Sequence, residues 1–307
     1  MTVLRLGTRG SRLALWQAHW VQRLLASVHR DVRVEIVPIE TDGDRRTEAA
    51  LSTLSGSAFF TKEIEGALLE GSIDLAVHSL KDVATEAPEG LILGAVLERA
   101  DPRDALVARD GHGLADLGEG ARVGTSSLRR KAFLRADHPG LVTRDVRGNV
   151  PTRLGILDRG DTDALLLACA GLDRLELGAR ITSRLDPERF VPAPAQGAVA
   201  VQIRADDAAV RSRIAPLEHG PTRRAVDAER TFLNVLEGGC QVPLGAFAQV
   251  EGDSMRLVAR VASLDGGRGV RGALSGPSDD PDALGRTLAR RLIDEGAADI
   301  LAELRPS

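Results

Sequence analysis

Apolar and polar positions alternate at Val3-Leu4-Arg5-Leu6, which predicts a strand, and Gly7-Thr8-Arg9-Gly10 after it reads as a turn. Ser11 stands where a helix cap is wanted. Leu13, Trp16, Trp20 and Leu24 then recur at helical spacing, so the two tryptophans, one turn apart, are assigned to the core. Val32 to Val37 alternates again and predicts a second strand. The polar stretch Thr41 to Ser57 has little periodicity and reads as a mobile loop, followed by a helix over Lys62 to Leu69. Ile73 to His78 predicts a short buried strand that ends in the loop Ser79-Leu80-Lys81-Asp82.

Near residue 120 the pattern restarts. Arg122-Val123-Gly124-Thr125-Ser126-Ser127-Leu128-Arg129-Arg130 echoes the segment from Arg5 to Arg12, and Gly160 to Ala168 echoes Gly71 to His78. Two paired echoes in the same order predict two similar α/β lobes, each presenting a Gly-Thr turn and a helix N-terminus at the carboxyl ends of parallel strands. Backbone N–H groups at such a place suit anions. Glu98 to Arg103 and Val191 to Ala195 read as crossings between the lobes, a two-strand hinge that would make a clam-shell cleft. From Pro221 the character changes to a helix over Arg223 to Leu236 and strands over Gly245–Val250, Leu257–Leu264 and Val270–Leu274. A final helix over about Pro281 to Leu304 completes a third, α+β domain.

Composition narrows the function. Forty basic and forty-four acidic residues give a net charge of −4, which does not support a general nucleic-acid surface. No apolar run approaches a membrane span, and the start lacks the layout of a secretory signal, so a cytoplasmic location is expected. Lys62, Lys81 and Lys131 are the only lysines, so arginine, whose planar fork grips carboxylates and phosphates, supplies nearly all the positive charge. A GC-rich genome is the plainer reading of most of that bias.

Candidate chemistry follows from position. Cys169 sits in an apolar run and reads as core. Cys240 lies in the tight loop Glu237-Gly238-Gly239-Cys240-Gln241-Val242-Pro243, where its sulfur reads as a nucleophile, an attachment point or an incidental thiol. Lys81-Asp82 follows a buried strand, the place where open sheets gather functional groups, although a solvated ion pair is the plainer reading. His78 reads as structural, and no histidine makes a metal motif, so no metal is expected. Arg9, Arg129, Arg130, Arg147 and Arg153 cluster around the predicted turns and together would line a cleft for several carboxylates. The Gly-Thr turns satisfy no nucleotide fingerprint.

Thr8-Arg9-Gly10-Ser11, Thr41-Asp42-Gly43-Asp44, Ala76-Val77-His78-Ser79-Leu80-Lys81-Asp82, Asp101-Pro102-Arg103-Asp104, Gly124 to Arg130, Arg147-Gly148-Asn149, Pro194-Ala195-Gln196-Gly197-Ala198 and Glu237 to Pro243 together resemble, in order, the porphobilinogen deaminase (hydroxymethylbilane synthase) family. The resemblance covers almost the whole chain. It implies an α/β fold of two similar bilobed, periplasmic-binding-protein-like domains (1–98 with 198–216, and 103–192) plus a smaller α+β domain at 220–307 carrying the cofactor cysteine. It implies an enzyme that joins four porphobilinogen molecules head to tail, releasing ammonia at each addition, on a dipyrromethane held by a thioether to Cys240. Asp82 matches the family's catalytic aspartate. Ser79, Lys81, Thr125, Ser126, Ser127, Arg129, Arg130 and Arg147 are implied to bind the cofactor, and Arg9, Ser11, Phe60, Arg153 and Arg174 the substrate or growing chain. The expected partners are porphobilinogen and the next tetrapyrrole-pathway enzyme, with no nucleic acid or membrane, and a monomer is expected. One departure stands out: the family's usual Gly-Gly-Lys-Gly is Ser55-Gly56-Ser57-Ala58-Phe59 here, without the lysine. A bilobed binding protein for organic anions and a thiol hydrolase are the rival readings.

Overall fold

The computed structural model describes residues 1–42, 61–236 and 242–303. In chain order the elements begin with β1 (Thr2–Arg9), α1 (Arg12–Val28), β2 (Val32–Ile39), α2 (Lys62–Leu69), β3 (Leu75–Ser79) and β4 (Leu91–Val96). There follow β5 (Asp104–Ala108), β6 (Arg122–Gly124), α3 (Leu128–Asp137), β7 (Val142–Arg144), α4 (Val150–Asp158), β8 (Ala164–Ala168), α5 (Cys169–Arg174) and β9 (Ser183–Arg184). The chain ends with β10 (Val199–Arg204), α6 (Ala208–Ile214), α7 (Gly220–Val235), β11 (Leu244–Glu251), β12 (Ser254–Ala262), β13 (Gly269–Pro277), α8 (Pro281–Leu292) and α9 (Ala298–Ala302). Two compact units result, one of residues 1–100 with 198–223, the other of 101–197 with 224–307.

In the first unit the sheet order is β2-β1-β3-β10-β4, with β1 parallel to β2 and β3, and β10 antiparallel to β3 and β4. Its core is built from the inward side of this sheet and the apolar stripe of α1, with Leu4, Leu6, Val21, Leu25, Val77, Val201 and Ile214 all buried. Trp20 packs against this core only partly buried, and Trp16 is half-exposed beside it, ring centroids 5.7 Å apart. The strand β1 runs on through Gly7, Thr8 and Arg9, because β2 pairs with it as far as Arg9 opposite Ile39. The expected Gly-Thr turn is therefore strand, and the reversal is confined to Gly10-Ser11.

The second unit repeats the plan. Its mixed sheet has the order β7-β6-β8-β5-β9, with β6 parallel to β7 and β8, and β5 antiparallel to β8 and β9. A separate antiparallel sheet, β11-β12-β13, packs under α7, α8 and α9, and Phe133, Phe190, Phe247 and Val258 share one apolar cluster that joins it to the mixed sheet. The expected long final helix is interrupted: Gly296 has φ 106°, a left-handed conformation that cannot continue a helix, so α8 ends in a wide turn before α9. Among the described residues no helix is long and apolar enough to cross a membrane.

The sequence echoes have a physical counterpart. Arg5 donates through its backbone N (2.7 Å), Nε (3.1 Å) and Nη2 (2.7 Å) to Asp74, and through Nη2 to the Gly71 carbonyl (2.7 Å). Arg122 does the same to Asp163 at 2.8, 3.0 and 3.0 Å and to the Gly160 carbonyl at 2.9 Å. Gly71 (φ 72°) and Gly160 (φ 80°) turn the chain so that each carbonyl faces its arginine.

Candidate active site

In the first unit the sequence-predicted residues gather where β1 and β3 end. Arg9 closes β1, and Ser11 caps α1 as expected, its Oγ accepting the Ala14 N–H at 3.3 Å. One turn further on, buried Gln17 donates to Ser79 Oγ at 2.8 Å. The Leu80 N–H bonds the Ala198 carbonyl at 3.0 Å, and the chain then makes a single tight turn, Leu80–Asp82. Lys81 and Asp82 are both half-buried there. Among the described residues no hydrogen bond or ion pair reaches the Asp82 carboxylate, in contrast to Asp74 at the other end of the same strand.

Beneath this corner His78 is buried, with Nε2 3.1 Å from Gln202 Oε1, and Gln202 Nε2 donates to buried Glu65 at 3.2 Å. The amide's orientation assigns the imidazole proton to Nε2. Burial, aided by the charge of Arg9 and opposed by the Gln202 bond, pushes His78 down to about 4, so it is a neutral structural group at physiological pH.

In the second unit the predicted residues gather at the equivalent place. Thr125 is buried and its Oγ1 accepts the Ser127 N–H at 3.2 Å; Ser126 Oγ donates to the Val146 carbonyl at 2.9 Å; Ser127 caps α3. Arg147 is half-buried beside Asp145, and Arg153 donates from Nε to the Gly148 carbonyl at 2.8 Å. Buried Arg174 donates to the Gly197 carbonyl at 2.7 Å, and burial pushes its guanidinium down to about 10. Cys169 is fully buried, and burial raises its thiol to about 12, which fits a core residue and not a nucleophile.

Arg129 and Arg130 are the most enclosed arginines of the set, 3% and 6% exposed. Both grip Asp104, the first residue of β5, which has no exposure at all. Arg129 does so through Nη1 (2.6 Å) and Nη2 (3.2 Å), Arg130 through Nε (3.0 Å) and Nη2 (2.6 Å). Nη1 of each also bonds a carbonyl, of Val191 (2.8 Å) and Leu166 (2.9 Å). Gln196 donates to the same carboxylate at 2.9 Å. Burial would raise the Asp104 carboxyl, but the two adjacent positive charges and their hydrogen bonds outweigh it and hold it far below the usual carboxylate range. Sequence reasoning missed Asp104 and Gln196, although both lie in quoted motifs, because their partners are distant in the chain.

Two guanidiniums against one carboxylate leave a buried excess of one positive charge, and Arg129 Nε is buried without a partner among the described residues. Such a cluster suits a ligand that carries carboxylates. Cys240, Phe60 and the loop with the missing lysine lie outside the described residues. No three His, Cys, Asp or Glu side chains among the described residues could hold a metal.

Residues 4–212 match the family model "Porphobilinogen deaminase, dipyromethane cofactor binding domain", and residues 224–294 match "Porphobilinogen deaminase, C-terminal domain". The chain is 51% identical over 304 residues to a porphobilinogen deaminase of Xanthomonas axonopodis pv. citri, covering 99% of this chain and 100% of that one. It is 50% identical, with the same coverage, to that of Xanthomonas euvesicatoria pv. vesicatoria. Among solved structures, the L-cystine solute receptor of Neisseria gonorrhoeae aligns over 70% of this chain and 84% of that one, at 17% identity and TM-score 0.38.

Proposed function

Because the chain belongs to the porphobilinogen deaminase family, we propose that Asp82 is its catalytic carboxylate and Cys240 the attachment point of its dipyrromethane. The enzyme condenses four porphobilinogen molecules head to tail into hydroxymethylbilane in tetrapyrrole biosynthesis, with loss of ammonia. A binding protein and a thiol hydrolase are set aside with that membership.

The observation that carries the reading is the Asp82 carboxylate, which has no partner among the described residues and is half-buried in a corner held by backbone and by the Gln17–Ser79 bond. A carboxylate so placed, partly withdrawn from water, can stabilise the cation that porphobilinogen becomes as its ammonia departs. The dipyrromethane, when bound, supplies a nucleophilic pyrrole end for the first addition. Ser79 and Lys81 beside Asp82, and Thr125, Ser126, Ser127, Arg129, Arg130 and Arg147 in the second unit, are assigned to the cofactor's polar and carboxylate groups. The cluster around Asp104 fits that assignment by its excess positive charge. Arg9, Ser11, Phe60, Arg153 and Arg174 are assigned to substrate and growing chain.

Three domains, 1–98 with 198–216, 103–192 and 220–307, are the division that agrees best with the three sheets. We further assign the protein to the cytoplasm as a monomer that passes its linear product to the next pathway enzyme.

Intact mass tests the reading. Wild type should carry the added mass of two linked pyrroles and Cys240→Ala should not. Equal masses in both, or an unmodified and fully active wild type, would overturn it.

A further inference from the structure

Asp104 belongs to neither the catalytic corner nor the assigned cofactor ligands, yet two buried guanidiniums pair with its carboxylate. Its two oxygens receive five side-chain hydrogen bonds, from Arg129, Arg130 and Gln196. A buried ion cluster of this kind is a poor way to gain stability, since an apolar set of the same volume commonly does as well or better. Its value lies in orientation. A guanidinium has five N–H donors in a rigid plane, so fixing two or three of them fixes the direction of the rest.

For Arg130, Nε and Nη2 face Asp104 and one Nη1 hydrogen faces the Leu166 carbonyl, which leaves one N–H on each terminal nitrogen. For Arg129, Nη1 is saturated by Asp104 and Val191, which leaves Nε and one N–H of Nη2. The ring of Phe133 lies 5.9 Å from the Arg129 guanidinium carbon, and that of Phe190 equally far, so this guanidinium is held by packing as well. Gln196 completes the frame, because its amide nitrogen bonds both Asp104 and the Pro102 carbonyl (2.9 Å each), tying the Pro194–Gly197 segment to the start of β5.

We propose that Asp104 is a positioning residue for cofactor loading: its carboxylate aligns Arg129 and Arg130 and cancels one of their two charges, so that the cluster is matched to a single carboxylate of the dipyrromethane. This rests on the assignment of the two arginines to the cofactor. Without Asp104 the cluster would carry two unbalanced charges, and each guanidinium would be left with its carbonyl bond and, for Arg129, ring packing as its only hold. With an apolar or neutral replacement, charge attraction to the pigment would survive but alignment would not.

The test is cofactor occupancy, read by intact mass on purified full-length protein, with thermal melting as the control for folding. Asp104→Asn, which keeps the shape and one acceptor oxygen, should melt cooperatively at lower temperature and carry the dipyrrole mass on at least ten-fold fewer molecules. Asp104→Glu keeps the charge and shifts the carboxylate by one methylene; it should melt closer to wild type yet load several-fold less. A folded Asp104→Asn with wild-type occupancy overturns the proposal. Should Asp104→Asn not fold, Asp104→Glu decides: wild-type occupancy overturns the proposal, and reduced occupancy in a folded protein supports it. Wild type without the added mass would remove the cofactor reading itself, whereas a loaded wild type beside an equally loaded variant removes only the role of Asp104.

Discussion

In the first mixed sheet Arg5 holds Asp74 and the Gly71 carbonyl, and in the second Arg122 holds Asp163 and the Gly160 carbonyl by the same four hydrogen bonds. Gly7 and Gly124 occupy matching places, each pressed by side chains where a Cβ would stand. At the opposite end of the paired strands the likeness stops. Where β3 exits through His78, Ser79 and the tight turn to Asp82, β8 exits through Leu167 and Ala168 into α5 and the buried Cys169. The amino ends of β3 and β8 keep the shared scaffold, and their carboxyl ends carry what differs between the copies. The half-buried acid of Asp82 belongs to one copy and the buried cationic cluster to the other.

The comparison is most exposed to Asp82→Asn. If the first sheet's exit carries the chemistry, turnover should fall by about a thousand-fold, near 4 kcal/mol of barrier, while the dipyrrole mass is retained. Steady-state assays beside intact mass measure both. Near-normal turnover would make the two exits equivalent.

A second break concerns His78, which stands where the other copy has buried Leu167. Its folded pKa of about 4 lies below the 6.5 of the unfolded chain, so between those values only the unfolded chain takes up the proton. The stability of the neutral histidine is thus full above pH 6.5 and declines as pH falls towards 4, by about 3 kcal/mol over that window. His78→Leu should flatten this limb of a urea-denaturation series, although Gln202 Oε1 loses its donor and keeps only the amide bond to Glu65. An unchanged slope from pH 6.5 to 4 would show that another group sets it.

The matched glycines sharpen the likeness. A Cβ on Gly124 would lie 2.6 Å from both Leu165 Cδ2 and Val146 Cγ2, and a valine methyl has little room to turn aside. Gly124→Ala should therefore cost about 1–3 kcal/mol. Gly7→Ala meets mainly the far end of Ile73, which bends away at smaller cost. Chemical denaturation of the two variants gives the order, and a larger loss at Gly7 would contradict it.

The smallest effect is expected at the clasps. The Arg122 hydrogen bonds hold Asp163 down to about 2, against 3.8 in an unfolded chain, so its contribution is present above about pH 4 and is lost as pH falls through 2. Asp163→Asn should make unfolding less dependent on pH in that range, by less than His78→Leu changes its own window. Acid titrations followed by circular dichroism would show it.

The repeat was legible because its landmarks are local: Gly-Thr after an arginine-bearing strand, and Gly followed three residues later by Asp. The helix caps Ser11 and Ser127 follow the same short-range rules. What escaped were the long-range partners. Nothing near Asp104 announces Arg129 and Arg130, and nothing near Asp74 announces Arg5, since sequence patterns report periodicity and not which strands become neighbours. The extension of β1 through Arg9 was hidden for the same reason: its glycine reads as a turn until β2 is known to lie beside it. At Asp82 the position was readable from the preceding buried strand, but that no described residue pairs with its carboxylate required the fold.

Strand β10 sits between β3 and β4, yet it is made only after all of β5 to β9. During synthesis the first hundred residues therefore leave the ribosome as a sheet lacking its inner strand, with the facing edges of β3 and β4 unpaired. At about 5–20 residues per second that gap lasts on the order of ten seconds. The second sheet has no such interval, because its five strands are contiguous in the chain. A nascent protein of this design completes its second mixed sheet before its first, and the first is the part that chaperones would meet with open edges.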